Sequence, residues 1–232
     1  MASTHSELYT ANKAHWDKVA KDLDKHPWGM FGMKMADQML PHLLKTATFD
    51  KEKTEVMDFA CGNGYNSTLM APHCKSILGV DISTGMVDEF NRNIERWGLD
   101  KNQLHALRAD IEDAQGTELE GKTFDIIYCS MAYHHLPSME ETTKDLAVYL
   151  KPGGKLLVVD WIRPETETRM PAETYKNISQ IMKVPGIGEE EMKEVFERGG
   201  LRFRSYEKLL HMNEVVEGVN VNNWVFLACA EK

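Results

Sequence analysis

The chain has only four cysteines, Cys61, Cys74, Cys129 and Cys229, and none of them form a Cys-x-x-Cys pair. Zinc and dithiol motifs of that spacing are therefore missing, and reduced, buried thiols are the expectation. No apolar run is long enough to cross a bilayer. The start, Met1-Ala2-Ser3-Thr4-His5-Ser6-Glu7, lacks the basic-then-apolar order of a secretory leader and is not arginine-rich, so a cytoplasmic location is expected. Positive charge is scarce. Lys and Arg number 27 against 36 Asp and Glu, the net charge is −9, and the basic residues are scattered. Sequence-independent nucleic-acid binding needs the opposite pattern. There is no internal repeat and no low-complexity linker, and 232 residues fit one domain with a small cap.

What is present is alternation. Short apolar runs predict strands at about 55–60, 76–81, 103–108, 124–130 and 155–161, with helical patterns between them. This predicts a doubly wound α/β fold with a mostly parallel, seven-stranded sheet. Ser83 reads as the cap of a helix carrying Met86, Val87, Phe90 and Ile94, and Ser138 with Glu141 as a capping box. After a helix at Glu189 to Arg198, closed by Gly199-Gly200, two strands at about 201–211 and 221–230 follow with no helix between them. They predict an antiparallel last hairpin. Ahead of the sheet, residues 1–46 read as a helical cap, with helices at 11–23 and 33–46 broken by 24–32. Residues 162–187, with Met170, Tyr175 and Met182, are the least regular stretch and the candidate lid.

One segment carries most of the chemistry. The apolar run Val56-Met57-Asp58-Phe59-Ala60 leads through Cys61 into Gly62-Asn63-Gly64 and a helix start. Glycines there let backbone approach a ligand, and the helix start offers free N–H groups. In an α/β sheet a nucleotide-like cofactor lies at this point. Asp81 ends the next strand, where a carboxylate accepts from ribose hydroxyls. The dinucleotide fingerprint needs a third glycine, and Ser67 follows instead, which weighs against NAD.

Taken in order, Asp58 to Gly64, Gly79-Val80-Asp81-Ile82-Ser83 with Met86, Ala109-Asp110-Ile111, Phe124 to Leu136 and Leu150-Lys151-Pro152-Gly153-Gly154 resemble the class I S-adenosylmethionine-dependent methyltransferases, small-molecule branch, over roughly residues 50–160. The chain also has the general look of fungal flavonoid and catechol-type O-methyltransferases. The resemblance implies a Rossmann-like fold and S-adenosyl-L-methionine as cofactor. It places Asp58, Ala60, Gly62 and Gly64 around the amino-acid end, Asp81 and Ile82 at the ribose, and Met86, Asp110 and Ile111 at the adenine, with Ser130 nearby. The family has glycine where this chain has Ala60, and a methyl group is tolerated there if φ is negative.

The acceptor side is less determined. His134 and His135 follow the fourth strand, beside the transferable methyl group in this family, and histidine suits a general base near neutral pH. Alternatively His134, His135, Asp160 and His211 hold a divalent cation that lowers the pKa of a diol. The Asn/Asp-Pro-Pro-Tyr/Phe motif of nitrogen methylation is replaced by Cys129-Ser130-Met131-Ala132. The expected function is O-methylation of a small phenolic or polyphenolic metabolite. Methylation at carbon, sulfur or an amine, and cofactor binding without turnover, are the alternatives. Exchange of the N-terminal arm between two copies would give a homodimer.

Overall fold

The computed structural model describes residues 2–111, 119–164 and 180–232. Seven strands form one sheet: β1 (Glu55–Phe59), β2 (Ser76–Asp81), β3 (Leu104–Arg108), β4 (Phe124–Ser130), β5 (Leu150–Trp161), β6 (Arg202–Val216) and β7 (Val219–Glu231). Their order is β3-β2-β1-β4-β5-β7-β6. The first five run parallel, and β7 is antiparallel to both β5 and β6. The described helices of four or more residues are α1 (Ala2–Val19), α2 (Pro27–Thr46), α3 (Tyr65–Met70), α4 (Thr84–Arg96), α5 (Met139–Val148) and α6 (Glu189–Arg198). None is long and apolar enough to cross a membrane.

Successive strand residues face opposite layers, so the continuous apolar runs fill two cores. Val56, Ile77, Ile126, Leu157 and Val159 join Phe31, Met35 and Met39 of α2 and Phe90 and Ile94 of α4. Met57, Leu78, Ile127, Leu156 and Val158 join Leu146 of α5 and Met192, Val195 and Phe196 of α6. Ser83 caps its helix as read, its Oγ accepting from Met86 N, and of the Ser138–Glu141 capping box one half is present, Ser138 Oγ accepting from Glu141 N.

Several boundaries differ from the sequence reading, β5 among them, which opens at Leu150 rather than near 155. The first helix runs over Ala2–Val19, with a 3-10 turn at Ala20–Asp22. Residues 24–32 do not break the cap at length, because α2 already begins at Pro27. Proline has no N–H to lose at a first helical position, and the His26 side chain accepts from Trp28 N. The last hairpin reaches past 211 to a two-residue turn at Glu217-Gly218, where both φ values are positive, between the paired Val216 and Val219. Its extension is held because Met212, Val216, Val219 and Val221 join the core beneath α2. Met170, Tyr175 and most of the 162–187 segment lie outside the described residues.

Candidate active site

Strand order reverses between β1 and β4, and a cavity of about 310 Å³ opens at their carboxyl ends, lined also by α1, α2 and the turn after β4. That volume suits a small ligand, since such pockets run from about 300 to 1,000 Å³. Of the residues singled out in the sequence, Ala60, Gly62, Asp81, Ile82, Met86, Asp110, Ile111, Ser130 and His135 line it together.

The loop after β1 is shaped by three left-handed residues: Ala60 at φ +57°, Gly62 at +53° and Gly64 at +87°. A side chain on Gly64 would meet the Phe90 ring at 2.7 Å, whereas the space beside Gly62 is open. Asn93 Nδ2 donates to the Asn63 carbonyl and pins the loop to α4. The condition of a negative φ at Ala60 is not met. A methyl group in this region costs about 1–2 kcal/mol. Met131, at the end of β4, is left-handed too, with φ +56°. Two strained non-glycine residues thus flank the switch point and line the cavity. Ala60→Gly is expected to stabilise the protein by about 1 kcal/mol. A urea midpoint that does not rise at constant slope would contradict this.

Asp81 is 8% exposed, and each of its oxygens accepts one backbone N–H, from Gly62 at 3.0 Å and from Ser83 at 2.9 Å. Burial raises its pKa to about 6, against the pull of those N–H groups. Asp58 does not line the cavity. It is buried behind the loop, accepts from Ser67 Oγ at 2.6 Å, and is pushed by burial, and further by Asp81, to about 7. Gly64 does not line the cavity either; it closes the loop as the N-cap of α3.

The two histidines part company. A 3-10 turn at Tyr133–His135 directs them differently. His134 lies outside the cavity lining. Its Nδ1 is 2.6 Å from Asp160 Oδ1, its backbone N–H donates to Asp160 Oδ2, and its carbonyl accepts from Lys183 and Val184. It ties the turn to the end of β5. His135 lines the cavity, with Nδ1 2.7 Å from the Ile181 carbonyl and Trp16 edge-on to its ring. Burial, then neighbouring His134, lowers its pKa well below the ordinary value, against the opposing pull of that carbonyl.

The proposed cation site does not form. His211 is exposed, with Nε2 on Asn222 Oδ1 and its ring on Trp224. His134 and Asp160 are bonded to each other, and the described residues contain no group of three or more His, Cys, Asp or Glu placed to hold a metal.

Sequence reasoning missed most of α1. The Tyr9 hydroxyl donates to Asp110, Asn12 Nδ2 to the carbonyls of Leu8 and Ile181, and Asp17 Oδ1 accepts from Ser83 Oγ and Gly85 N at the start of α4. Burial pushes Asp17 up, but the Lys13, Gly85 and Ser83 donors outweigh it and hold its carboxyl at about 2. The helix packs against α4, and the signal for its cavity face was the helical spacing of Tyr9, Asn12 and Trp16.

A loop of left-handed backbone, a carboxylate ending β2 and a cavity at the switch point together define a nucleotide-type cofactor site on a doubly wound sheet. Residues 31–206 match the methyltransferase domain family, and the chain belongs to that family. It is 39% identical over 115 residues to an uncharacterized methyltransferase of Schizosaccharomyces pombe, covering 49% of this chain and 40% of that one. It is 34% identical over 102 residues to the ubiquinone biosynthesis O-methyltransferase of Coxiella burnetii, covering 44% and 41%. The matched stretch is thus only about two fifths of the length of these relatives. The fold is shared with the magnesium protoporphyrin IX methyltransferase of Synechocystis solved with bound SAH. The TM-score is 0.69 at 15% identity, over 97% of this chain and 99% of that one.

Proposed function

We propose that the chain moves the methyl group of S-adenosyl-L-methionine to a hydroxyl of a small phenolic or polyphenolic acceptor, with His135 as general base. The observation that carries the oxygen acceptor is the tautomer of His135. A carbonyl only accepts, so the 2.7 Å contact with Ile181 puts the proton on Nδ1. Burial keeps the ring neutral. Nε2 is then the acceptor nitrogen of a cavity-lining side chain. The Coxiella relative, named for an O-methyl transfer, supports the same reading.

The residues present fit the cofactor. The described lining holds two carboxylates, Asp81 and Asp110, and no lysine or arginine, which suits a cationic sulfonium. The open space beside Gly62 takes the amino-acid end. Asp81 keeps lone pairs for ribose hydroxyls after its two N–H bonds. Met86, Asp110 and Ile111 line the same cavity, where they would border the adenine. When bound, the cofactor supplies an electrophilic methyl group. The protein's part is to align the acceptor, exclude water beneath α1 and receive one proton at His135 Nε2. In the transfer the S–CH₃ bond breaks, the O–CH₃ bond forms, and S-adenosylhomocysteine leaves.

The test is a methyl-transfer screen of phenols, thiols and amines with labelled cofactor, in chelator. Methylated phenols are expected, at full rate without added cation. Turnover of thiols or amines alone, or S-adenosylhomocysteine binding without any turnover, would overturn the reading.

A further inference from the structure

Gly32 sits inside α2 with ordinary right-handed backbone, where glycine is less stable than alanine. Packing among the described residues does not ask for it. A side chain on Gly29, one turn earlier, would meet the Leu23 carbonyl oxygen at 1.6 Å, but a Cβ on Gly32 would find no heavy atom of the other described residues within 4 Å. That open space lies inward. Gly32 falls on the same helix face as Ala36, Met39 and Leu43, one, two and three turns further on, and all three are buried. Where those side chains meet the core, Gly32 meets the cavity that it lines.

The wall it belongs to is apolar and stands away from the carboxylates. Trp28, Met33 and Met35 of α2 line the cavity with Gly32. The helix packs against α3, β6 and β7, and its Phe31 stacks on Trp161 at the end of β5. Asp81 ends β2 and Asp110 follows β3, on the other side of the switch point. We infer that Gly32 is a specificity-determining residue for the methyl acceptor, keeping open a bay in which an apolar group of the acceptor packs against α2. The inference rests on the O-methyl-transfer reading above and narrows it to acceptors whose hydroxylated ring carries an uncharged, apolar extension. A side chain at position 32 would fit the folded protein and take the place of that extension.

The probes are phenol and 2-naphthol, whose second ring is the extension, and the variants are Gly32→Ala and Gly32→Leu. The melting temperature of the empty Gly32→Ala protein is expected to rise by about 2–4 °C, because the new methyl group enters open space. A lower one would mean that packing demands the glycine, and overturns the inference. In calorimetric titrations of wild-type protein saturated with S-adenosylhomocysteine, 2-naphthol is expected to bind about tenfold more tightly than phenol, or better. Gly32→Leu should bring that ratio close to one, and Gly32→Ala should move it the same way. Wild-type protein that shows no preference, or that binds neither probe, overturns the inference. So does a preference that survives in Gly32→Leu, or a Gly32→Leu defect that lies in S-adenosylhomocysteine affinity, since Gly32 would then face the cofactor. If 2-naphthol binds preferentially through Gly32 but neither probe is methylated, the bay stands and the proposed reaction fails.

Discussion

His135→Ala is expected to lower kcat at neutral pH by about 10²- to 10⁴-fold, the usual worth of a positioned general base, and to leave S-adenosylhomocysteine affinity within about twofold. The low pKa of His135 does not work against this role. A phenol titrates near ~10 in water, but its proton becomes strongly acidic as the O–CH₃ bond forms, so a weak base suffices if it is aimed. Burial keeps the imidazole unprotonated across the neutral range. The wild-type rate should therefore be flat above neutral pH and fall only on the acid side, below the ordinary histidine value of about 6.5. In His135→Ala the acid limb should vanish and the rate should climb with pH as solvent supplies phenolate. A variant with wild-type kcat at pH 7, or with the acid limb intact, would remove His135 from the chemistry. His134→Ala should behave differently, because its ring meets Asp160 rather than the cavity. Its main effect is expected as a lower melting temperature.

The adjacency of these histidines shows where the sequence stops being informative. Two neighbours in a chain cannot be told apart by type, and only the 3-10 turn sends one to Asp160 and the other to Ile181. The proposed metal site failed for the same reason. Asp160 and His211 both sit in strands, yet β7 lies between β5 and β6, and His211 ends up on an exposed edge. Local signals did better. Gly62, Asp81 at a strand end and the Ser83 cap depend on neighbours a few residues away; Gly62 and Asp81 line one cavity and Ser83 caps α4, whereas Gly64 does not reach the lining. The sign of φ at Ala60 was not readable, because a residue type other than glycine does not by itself fix the backbone, and Ala60 proves to be a strained residue in a position suited to glycine. The hairpin was read short because the alternation in Met212–Val216 and Val219–Val221 looks half-exposed until α2 is laid over it. On α1, Tyr9, Asn12 and Trp16 share a face, but helical spacing alone does not distinguish core from cavity.

Asp81→Asn is expected to weaken S-adenosylhomocysteine binding by about 10- to 100-fold, since a hydrogen bond to a charged group contributes about 1.5–3 kcal/mol. The loss should be compounded by the new amide, whose N–H group would point at the N–H of either Gly62 or Ser83. The pH dependence is the sharper test. Burial raises Asp81 to about 6 in the empty protein, while ribose hydroxyls donate to its ionised form. Binding therefore releases a proton, and wild-type affinity should fall by up to tenfold per pH unit below about 6. In Asp81→Asn that loss should disappear, and any slope that remains nearer pH 7 belongs to Asp58 behind the loop. Stability of the empty protein runs the other way. A carboxyl whose pKa is raised on folding binds its proton more tightly in the folded state, so stability falls as pH rises from the unfolded value near ~4 through the folded one. The rise in melting temperature on adding ligand is read against the empty protein at the same pH, so this stability term cancels and the affinity term is left. The rise in melting temperature on adding S-adenosylhomocysteine should grow from pH 5 to pH 7 in the wild type and stay nearly level in Asp81→Asn, whereas an equal rise at every pH in both proteins would take Asp81 out of the cofactor site.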